Sequence, residues 1–315
     1  MIAQPLPPLE RITEQVRCPL CDTAEFCVVS PANYPEELGE ENLLRVYSSS
    51  SDHLLMDQLV ACQSCNLLYL NPRVRSEIIL DSYRSAVDPT FVQQNALRIR
   101  TFRRSLRTLM RRQRFSPVTA PRILDVGCAG GAFLKAATDL GFSGVGVEPS
   151  AWLCEYGRKE FGLDLRAGTL AEQKFSAGEF DLVTLWDVIE HLLDPRAVLG
   201  DIRRLLRDTG LLVVNFPNHA SLVRRLLRRN WPFFLSVHLT YFTPQTISLL
   251  LERCGFHTLE IRPYWQTLEL GYALKRASAY GSVWGQFEKL SRRLNVSALP
   301  FTYNMGQSML VARKS

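Results

Sequence analysis

The sequence lacks a hydrophobic run suited to crossing a bilayer. Its longest window without a charged residue, Trp231 to Leu251, contains two prolines, a histidine and a glutamine, which make it a poor membrane span. Met1 to Val16 contains no apolar run and carries Glu10, Arg11 and Glu14, unlike a secretory signal peptide. We therefore expect a soluble, cytoplasmic protein with no transmembrane segment, and peripheral contact with a membrane stays open.

Lysine is scarce, and no internal repeat or low-complexity tract is present. The chain has 6 lysines and 31 arginines, a skew that could serve phosphate recognition but that genome base composition also produces. The net charge of +6 is unevenly distributed, because residues 1–95 hold 6 basic and 13 acidic side chains while residues 96–122 hold 9 arginines and no acid. The basic character is therefore concentrated in about one helix.

Half of the eight cysteines fall in two Cys-x-x-Cys pairs, Cys18 with Cys21 and Cys62 with Cys65. In a cytoplasmic chain this pattern argues against a disulfide framework, and two such turns can supply four thiolates in a tetrahedron. A closed four-sulfur site holds structural zinc and leaves no position for substrate. The alternative is four unrelated buried cysteines. We interpret residues 31–57, between the pairs, as an inserted loop.

A basic amphipathic helix is predicted from Asn95 to Phe115, followed by Pro117 and Pro121. Its arginines could contact nucleic-acid phosphate, lie on an anionic membrane, or face the acidic cysteine-rich module. We favour the last, because charge runs are mostly solvated or internally matched. The apolar positions repeat at helical spacing: Leu97, Phe102, Leu106, Leu109 and Met110.

The stretch Arg122 to Leu134 has the pattern of a buried strand, a small-residue turn and a helix start. Gly127, Gly130 and Gly131 allow a sharp turn and let a ligand approach main-chain amides that a β-carbon would shield. This pattern predicts a cofactor-binding loop.

Two classes of cofactor use such a loop. A dinucleotide fingerprint requires Gly-x-Gly-x-x-Gly, whereas this chain has Gly127-x-Ala129-x-x-Ala132. Asp125 precedes the first glycine by two positions, and its carboxylate would repel a pyrophosphate but attract the ammonium of S-adenosylmethionine. We therefore favour S-adenosylmethionine.

From Pro121 onward, strand and helix patterns alternate, which predicts a parallel sheet with helices on both faces. The second strand ends in Glu148, whose carboxylate can accept both ribose hydroxyl protons. Phe180 to Trp186 is the fourth strand, and it delivers Asp187 to Pro195 to the carboxyl edge, where open α/β sheets bind ligands.

The loop resembles the Asp-x-Gly-x-Gly-x-Gly loop of class I S-adenosylmethionine-dependent methyltransferases, with Ala129 at the middle glycine. The Asp187-Val-Ile-Glu190-His191-Leu run is similar to that of many small-molecule members. The segment with the cysteine pairs, including Leu80-Asp-Ser-Tyr83, resembles the zinc-ribbon module that precedes many bacterial methyltransferases of the small-molecule and sugar-modifying kind.

These resemblances imply a Rossmann-like seven-stranded sheet with six parallel strands and one antiparallel strand, inserted last at Ser308 to Arg313. They divide the chain into a zinc-ribbon module (1–95), the basic linker helix (96–120) and an S-adenosylmethionine-binding catalytic domain (121–315). The expected cofactor-binding residues are Asp125, Gly127, Cys128, Ala129, Gly131, Glu148, Thr169, Leu170, Trp186 and Asp187.

An oxygen nucleophile must lose a proton before it accepts a methyl group, and His191 and His238 are candidate general bases. We prefer His191, since the turn after the fourth strand faces the methyl donor in the resembled fold, although it could instead fix a helix start. Glu190 could orient it, but adjacent helical residues point about 100° apart and should not share one pocket wall. A metal site at Asp187 and Glu190 is a further alternative.

The preferred function is methylation of a small hydroxylated molecule such as a sugar, a nucleotide sugar or a lipid-linked precursor. The absence of Asn/Asp-Pro-Pro-Tyr after the fourth strand disfavours amino methylation, and the absence of cysteine there disfavours the covalent cytosine mechanism. An RNA methyltransferase that uses the basic helix remains possible, although the zinc module is acidic. The third alternative is a non-catalytic cofactor-binding scaffold. The sequence does not indicate an oligomeric state.

Overall fold

The computed structural model describes residues 12–34, 40–48, 51–113, 121–278 and 281–315. These residues contain fifteen strands, numbered in chain order: β1 (Thr13–Glu14), β2 (Phe26–Ser30), β3 (Leu59–Cys62), β4 (Leu68–Leu70), β5 (Arg73–Val74), β6 (Arg122–Val126), β7 (Ser143–Glu148), β8 (Asp164–Ala167), β9 (Phe180–Trp186), β10 (Leu206–Pro217), β11 (Thr240–Tyr241), β12 (Phe256–Pro263), β13 (Gln266–Glu269), β14 (Pro300–Tyr303) and β15 (Gln307–Lys314).

The same residues form eleven α-helices: α1 (Glu40–Val46), α2 (Ser76–Arg84), α3 (Pro89–Gln93), α4 (Asn95–Arg112), α5 (Ala132–Thr138), α6 (Ala151–Phe161), α7 (Pro195–Leu205), α8 (Leu222–Leu227), α9 (Pro244–Arg253), α10 (Leu270–Ala277) and α11 (Ser282–Arg293). Short 3-10 turns cover Leu170–Glu172, Ile189–His191 and Arg228–Asn230. No helix in the described ranges is long and apolar enough to cross a membrane.

A seven-stranded sheet organises the larger part of the chain, in the order β12-β15-β10-β9-β6-β7-β8. β15 is antiparallel to both of its neighbours, and the remaining pairs are parallel. The central strands β6 and β9 are mostly apolar and are buried along nearly their whole length, as expected for parallel strands covered on both faces. The predicted sheet of six parallel strands and one antiparallel strand is confirmed.

A second sheet, in the order β11-β4-β3-β2, carries the cysteine pairs. Its outer strand β11 comes from the later part of the chain and pairs antiparallel with β4, so that Thr240 lies opposite Tyr69. The bridge between Leu54 and Leu235 adds a second link between the same segments. The N-terminal module is therefore joined by backbone hydrogen bonds to the loop that follows β10.

The basic helix α4 packs on the large sheet rather than on the acidic module. Its buried side chains Leu106 and Leu109 belong to a core cluster with β6, β9 and α5. Arg103 pairs with Asp139 at the end of α5, and Arg112 pairs with Glu260 on β12. The expectation that these arginines face the zinc module is wrong, because the apolar stripe of α4 covers the sheet and fixes its polar face. Residues 114–120 of the predicted helix and linker lie outside the described residues.

Several predicted boundaries shift for local reasons. The sequence pattern predicts a strand from Leu163 to Leu170, but β8 ends at Ala167, since Gly168 adopts φ +115° and turns the chain. A glycine after an amphipathic pattern predicts that Gly210 stops the helix Val198 to Leu206, but Gly210 lies inside β10. The inserted loop 31–57 contains the helix α1. The sequence predicts a helix with Thr243 as cap and Pro244 as its first residue, and α9 confirms this start, with Thr243 as N-cap and Pro244 in the first turn.

Candidate functional site

Two similar turns bring the four paired cysteines together. Cys18 Sγ lies 3.6 Å from Cys65 Sγ, and Cys21 Sγ lies 3.4 Å from Cys62 Sγ. All four sulfurs lie within 4.8 Å of one another. These separations are close to the ~3.8 Å between sulfurs that bind one zinc ion at about 2.3 Å. The predicted clustering of the cysteines is confirmed, and the donor set fits structural zinc.

The glycine loop after β6 is built from left-handed backbone. Gly127 has φ +69°, Ala129 φ +46° and Gly131 φ +78°. A β-carbon on Gly127 would lie 2.5 Å from Val188 Cγ2, so this glycine is required for space as well as for conformation. Ala129 fills the position of the resembled middle glycine in a conformation that alanine rarely adopts. The loop therefore holds strained backbone at a predicted cofactor contact.

Glu148 and Asp125 lie at the carboxyl ends of adjacent strands and are buried. Glu148 accepts hydrogen bonds from the backbone N–H of Ala129 and of Ser150, each at 3.0 Å. Thr184 donates to Asp125 Oδ1 at 2.6 Å. Burial raises the pKa of Glu148, and burial together with the charge of Glu148 raises the pKa of Asp125 to about 8. Both carboxyls therefore lie next to the glycine loop.

The remaining predicted cofactor residues occupy different environments. Cys128 is buried against Gly146, and burial raises the pKa of its thiol. Thr169 caps the turn that contains buried Leu170. The Trp186 ring packs with the rings of Phe102, Phe133 and Tyr264, at centroid distances of 5.0 to 5.4 Å. The backbone of these residues lies at the carboxyl edge, whereas the Trp186 side chain contributes to the core.

Asp187 follows β9 in a left-handed conformation, with φ +54°. Its Oδ1 accepts hydrogen bonds from Asn215 Nδ2 at 2.6 Å and from Gln307 Nε2 at 2.7 Å. Burial raises the pKa of Asp187, while the Gln307 hydrogen bond and the charges of Arg98 and Arg276 oppose that rise. Three strands of the sheet therefore fix this carboxyl at the edge.

Glu190, His191 and His238 form one buried cluster, in which one ligand atom from each lies within 4.8 Å of the others. The histidine rings are 4.7 Å apart. His191 Nδ1 donates to Val237 O at 2.9 Å, and His238 Nδ1 donates to Phe233 O at 2.8 Å. Burial lowers the pKa of His191 to about 4 and that of His238 well below its usual value, which favours neutral imidazoles with unprotonated Nε2 atoms.

The expectation that Glu190 and His191 cannot share a pocket wall is wrong. Glu190 Oε1 lies 4.0 Å from His191 Nε2. The two residues occupy a 3-10 turn of three residues rather than an α-helix, so the helical angle between neighbours does not apply. His238 reaches the same cluster from the loop before β11.

Sequence reasoning missed Tyr83 as a site residue. It lies on α2 of the N-terminal module, and its ring makes an edge contact with His191 at 6.1 Å. Its hydroxyl is buried and has no hydrogen-bond partner among the described residues. The Leu80-Asp-Ser-Tyr83 match was the available signal, but nothing in the sequence places it beside His191.

Two insertions follow the fifth strand of the domain, and the sequence predicts a lid for residues 219–236 and a contribution to the pocket for residues 278–303. In the first, Trp231 is fully buried in a cluster with side chains of the module and donates from Nε1 to Met305 O at 2.6 Å. In the second, Trp284, Phe287 and Phe301 are 42–50% exposed. Both predicted roles stay predictions.

Comparison with known proteins identifies the domain that carries this site. The family model described as "Methyltransferase domain" matches residues 98–261, more than half of the chain. The chain belongs to this methyltransferase family, and its sheet is the class I methyltransferase sheet. The prediction of a domain of the S-adenosylmethionine-dependent methyltransferase class is confirmed at the level of the family.

Individual relatives share part of their length with this chain. A ubiquinone biosynthesis O-methyltransferase of Ruegeria sp. is 30% identical over 46% of this chain and 64% of its own. The protein of the same name from Cereibacter sphaeroides is 36% identical over 46% of this chain and 63% of its own. A solved SAM-dependent methyltransferase from Archaeoglobus fulgidus superimposes with TM-score 0.47 and 20% identity, covering 72% of this chain and all of its own. The chain thus spans less than two thirds of these curated relatives.

Proposed function

We propose that the protein transfers the methyl group of S-adenosylmethionine to a hydroxyl oxygen of a small molecule, such as a sugar, a nucleotide sugar or a lipid-linked precursor. The observation that carries this proposal is the pair of neutral imidazoles, His191 and His238, at the edge of the sheet where the glycine loop, Glu148 and Asp187 also lie. The O-methyltransferase names of the relatives support oxygen as the acceptor atom.

The residues of the loop and strand ends fit this cofactor. Glu148 accepts two backbone N–H groups and retains lone pairs for the ribose hydroxyls. Gly127 and Gly131 turn the loop sharply, while their own N–H groups donate to Val147 O and Cys128 O. Once ionised, Asp125 and Asp187 would supply negative charge for the ammonium. When bound, S-adenosylmethionine supplies an electrophilic methyl group on a positively charged sulfur.

Positioning of the acceptor accounts for most of the expected rate, because alignment alone can contribute about 7 to 11 kcal/mol. The acceptor hydroxyl must also lose its proton, and a well-placed base contributes roughly a hundred- to ten-thousand-fold. His191 and His238 can receive this proton at Nε2, since hydrogen bonds to Val237 O and Phe233 O hold their protons at Nδ1. Tyr83 packs its ring edge-on against His191 from the module.

We also propose that the four-cysteine cluster binds one structural zinc ion. The ion would hold the turns of β3 and β4 together, and β4 pairs with β11 beside the histidine cluster. Zinc would therefore stabilise the wall of the acceptor site without taking part in methyl transfer.

The experiment is transfer of labelled methyl to a panel of hydroxylated small molecules and to RNA. Loss of activity of at least about a hundredfold is expected in His191→Ala and not in His257→Ala, an exposed histidine on β12 that serves as the matched control. Labelling of RNA while every small molecule remains unlabelled would overturn the proposal, as would full activity of His191→Ala.

A further inference from the structure

The carboxylate of Glu190 has an unusual environment. The residue is 2% exposed, and neither Oε1 nor Oε2 has a hydrogen-bond partner among the described residues. A buried carboxylate without a partner is costly, so such a group normally faces a cation or a donor. His191 Nε2 lies 4.0 Å from Oε1, beyond hydrogen-bond distance.

The two histidines cannot satisfy this carboxylate with protons. Both Nδ1 atoms donate to backbone carbonyls, of Val237 and Phe233, and a neutral imidazole carries one proton. The Nε2 atoms of His191 and His238 are therefore lone-pair donors, like the oxygens of Glu190. Three side chains with oxygen or nitrogen lone pairs, from two segments of the chain, converge within 4.8 Å, and among the described residues no hydrogen bond joins them.

We infer that Glu190, His191 and His238 form a second metal site, which binds one divalent first-row transition ion such as Zn²⁺ or Fe²⁺. One ion at the centre would satisfy all three donors at once. Two imidazoles and one carboxylate suit these ions, whereas Mg²⁺ prefers oxygen donors. The carbonyls that accept from both Nδ1 atoms are the outer partners that metal-binding histidines require.

The inferred site differs from the four-cysteine cluster in what it can do. Four thiolates occupy all four coordination positions of a zinc ion, while three protein ligands leave at least one position open. The sequence pairs Glu190 with Asp187 as possible ligands, whereas the structure groups Glu190 with His191 and His238, and Asp187 Oδ1 accepts hydrogen bonds from Asn215 and Gln307. The pairing of a closed site and an open site suggests a structural ion in the module and a reactive ion at the edge of the sheet.

This inference rests on the proposed function for its chemical role. An acceptor hydroxyl bound at the open position would have a lowered pKa and would release its proton to solvent. The alkoxide oxygen would then form a bond to the methyl carbon while the carbon–sulfur bond breaks, and the electron pair of that bond would stay on sulfur. The products are the methyl ether, S-adenosylhomocysteine and one proton. In this metal-bound form, the Nε2 atoms of His191 and His238 are metal ligands, and the metal replaces them as the group that promotes loss of the acceptor's proton.

Metal analysis of the full-length protein tests the site directly. After incubation with excess Zn²⁺ or Fe²⁺ and removal of free metal, the wild-type chain should retain two ions. Glu190→Gln, which preserves the volume of the side chain, should retain one, with the second bound more than about tenfold more weakly. Cys18→Ser should lose the other ion, and the control His257→Ala should retain two.

Cobalt spectra assign each ion to its site. Bound Co²⁺ should give thiolate charge-transfer bands from the cysteine cluster and, separately, ligand-field bands that disappear in Glu190→Gln and in His238→Ala. Circular dichroism of both variants shows whether they remain folded. A single ion per chain in the wild type under excess metal, with only the thiolate bands, would overturn the inference.

Metal content and methyl transfer, measured on the same protein, test the second metal site and the proposed reaction separately. In one outcome, the chain holds one ion and still transfers methyl groups in the presence of a chelator that leaves the cysteine site loaded. This result would refute the second metal site but not the methyltransferase activity. Two bound ions without transfer to any hydroxyl acceptor would retain the metal site and remove the proposed reaction.

Discussion

Asp125 couples the protonation of the protein to the proposed cofactor. Burial raises its pKa from 3.8 to about 8, so the native chain holds a proton that the unfolded chain has released. Its contribution to stability is therefore present at low pH and is lost as pH rises towards about 8. Binding a cationic ligand reverses this preference, because the ligand favours the ionised carboxylate.

We predict that affinity for S-adenosylmethionine rises with pH up to about 8 and then levels off. Below this pKa the ligand must displace the proton of Asp125, which costs up to about tenfold in affinity per pH unit. Calorimetry in buffers of different ionisation enthalpy measures both the affinity and the released proton. In Asp125→Asn the dependence should disappear, and a slope that persists in this variant would assign it to another group.

Glu148 ends β7, and its carboxylate accepts hydrogen bonds from the backbone N–H groups of Ala129, in the glycine loop, and of Ser150. Glu148→Ala should raise the cofactor dissociation constant at least about tenfold, or ~1.4 kcal/mol, because it removes the ribose acceptor. It should also lower the melting temperature, since two buried N–H groups lose their partner.

The substitution Glu155→Ala is the control for Glu148, because Glu155 is an exposed acid on α6. Isothermal titration should give the wild-type dissociation constant for this control. A wild-type constant in Glu148→Ala, measured below its melting temperature, would contradict the placement of the ribose.

At the scale of elements, the strand pair β4–β11 joins the cysteine module to the loop that carries His238. Cys62→Ser should therefore remove zinc and also reduce methyl transfer, although Cys62 does not touch the histidine cluster. The physical reason is that zinc holds β3 and β4 in register, and β11 depends on β4 for its pairing.

Zinc content and transfer rate are measured together for Cys62→Ser and for Cys27→Ser. Cys27 is an exposed cysteine outside the cluster, so its variant should behave as wild type. Loss of zinc with an undiminished transfer rate would show that the module does not support the acceptor site.

The elements that could be predicted are those encoded by local pattern. β9 was predicted at its observed bounds because it is a short, mostly apolar run, and the start of α9 because Thr243 and Pro244 mark it. The cysteine cluster followed from ligand spacing. The two-residue strand β11 could not be predicted, because two residues are too few to show the alternating pattern of a strand. Its partner β4 is also far from it in the sequence.

The same limit applies to the candidate site. Its first members, Glu190 and His191, were evident from a motif, but their relative direction depended on a 3-10 turn that the sequence did not reveal. The position of Tyr83 against His191 depends on how the module packs on the sheet. Long-range packing therefore decides which motif residues meet.

At the scale of the whole molecule, the module, the sheet and the insertion after β10 meet around one cluster. Tyr83 comes from the module, Glu190 and His191 follow β9, and His238 precedes β11. On another side, α4 presents exposed arginines at helical spacing, which would suit an RNA phosphate backbone if the acceptor were RNA. A small-molecule acceptor would bind at the cluster, whereas an RNA acceptor would also contact the arginines of α4, so the identity of the acceptor distinguishes the two possibilities.

The most direct measurement uses S-adenosylmethionine with a ¹³C-labelled methyl group and identifies the labelled product by nuclear magnetic resonance. We expect a methyl ether signal on a small hydroxylated acceptor, dependent on Glu148 and lost in His191→Ala. A labelled methyl on RNA, on nitrogen or on carbon, or no labelled product from any hydroxylated acceptor, would show that the protein does not methylate a small hydroxylated molecule.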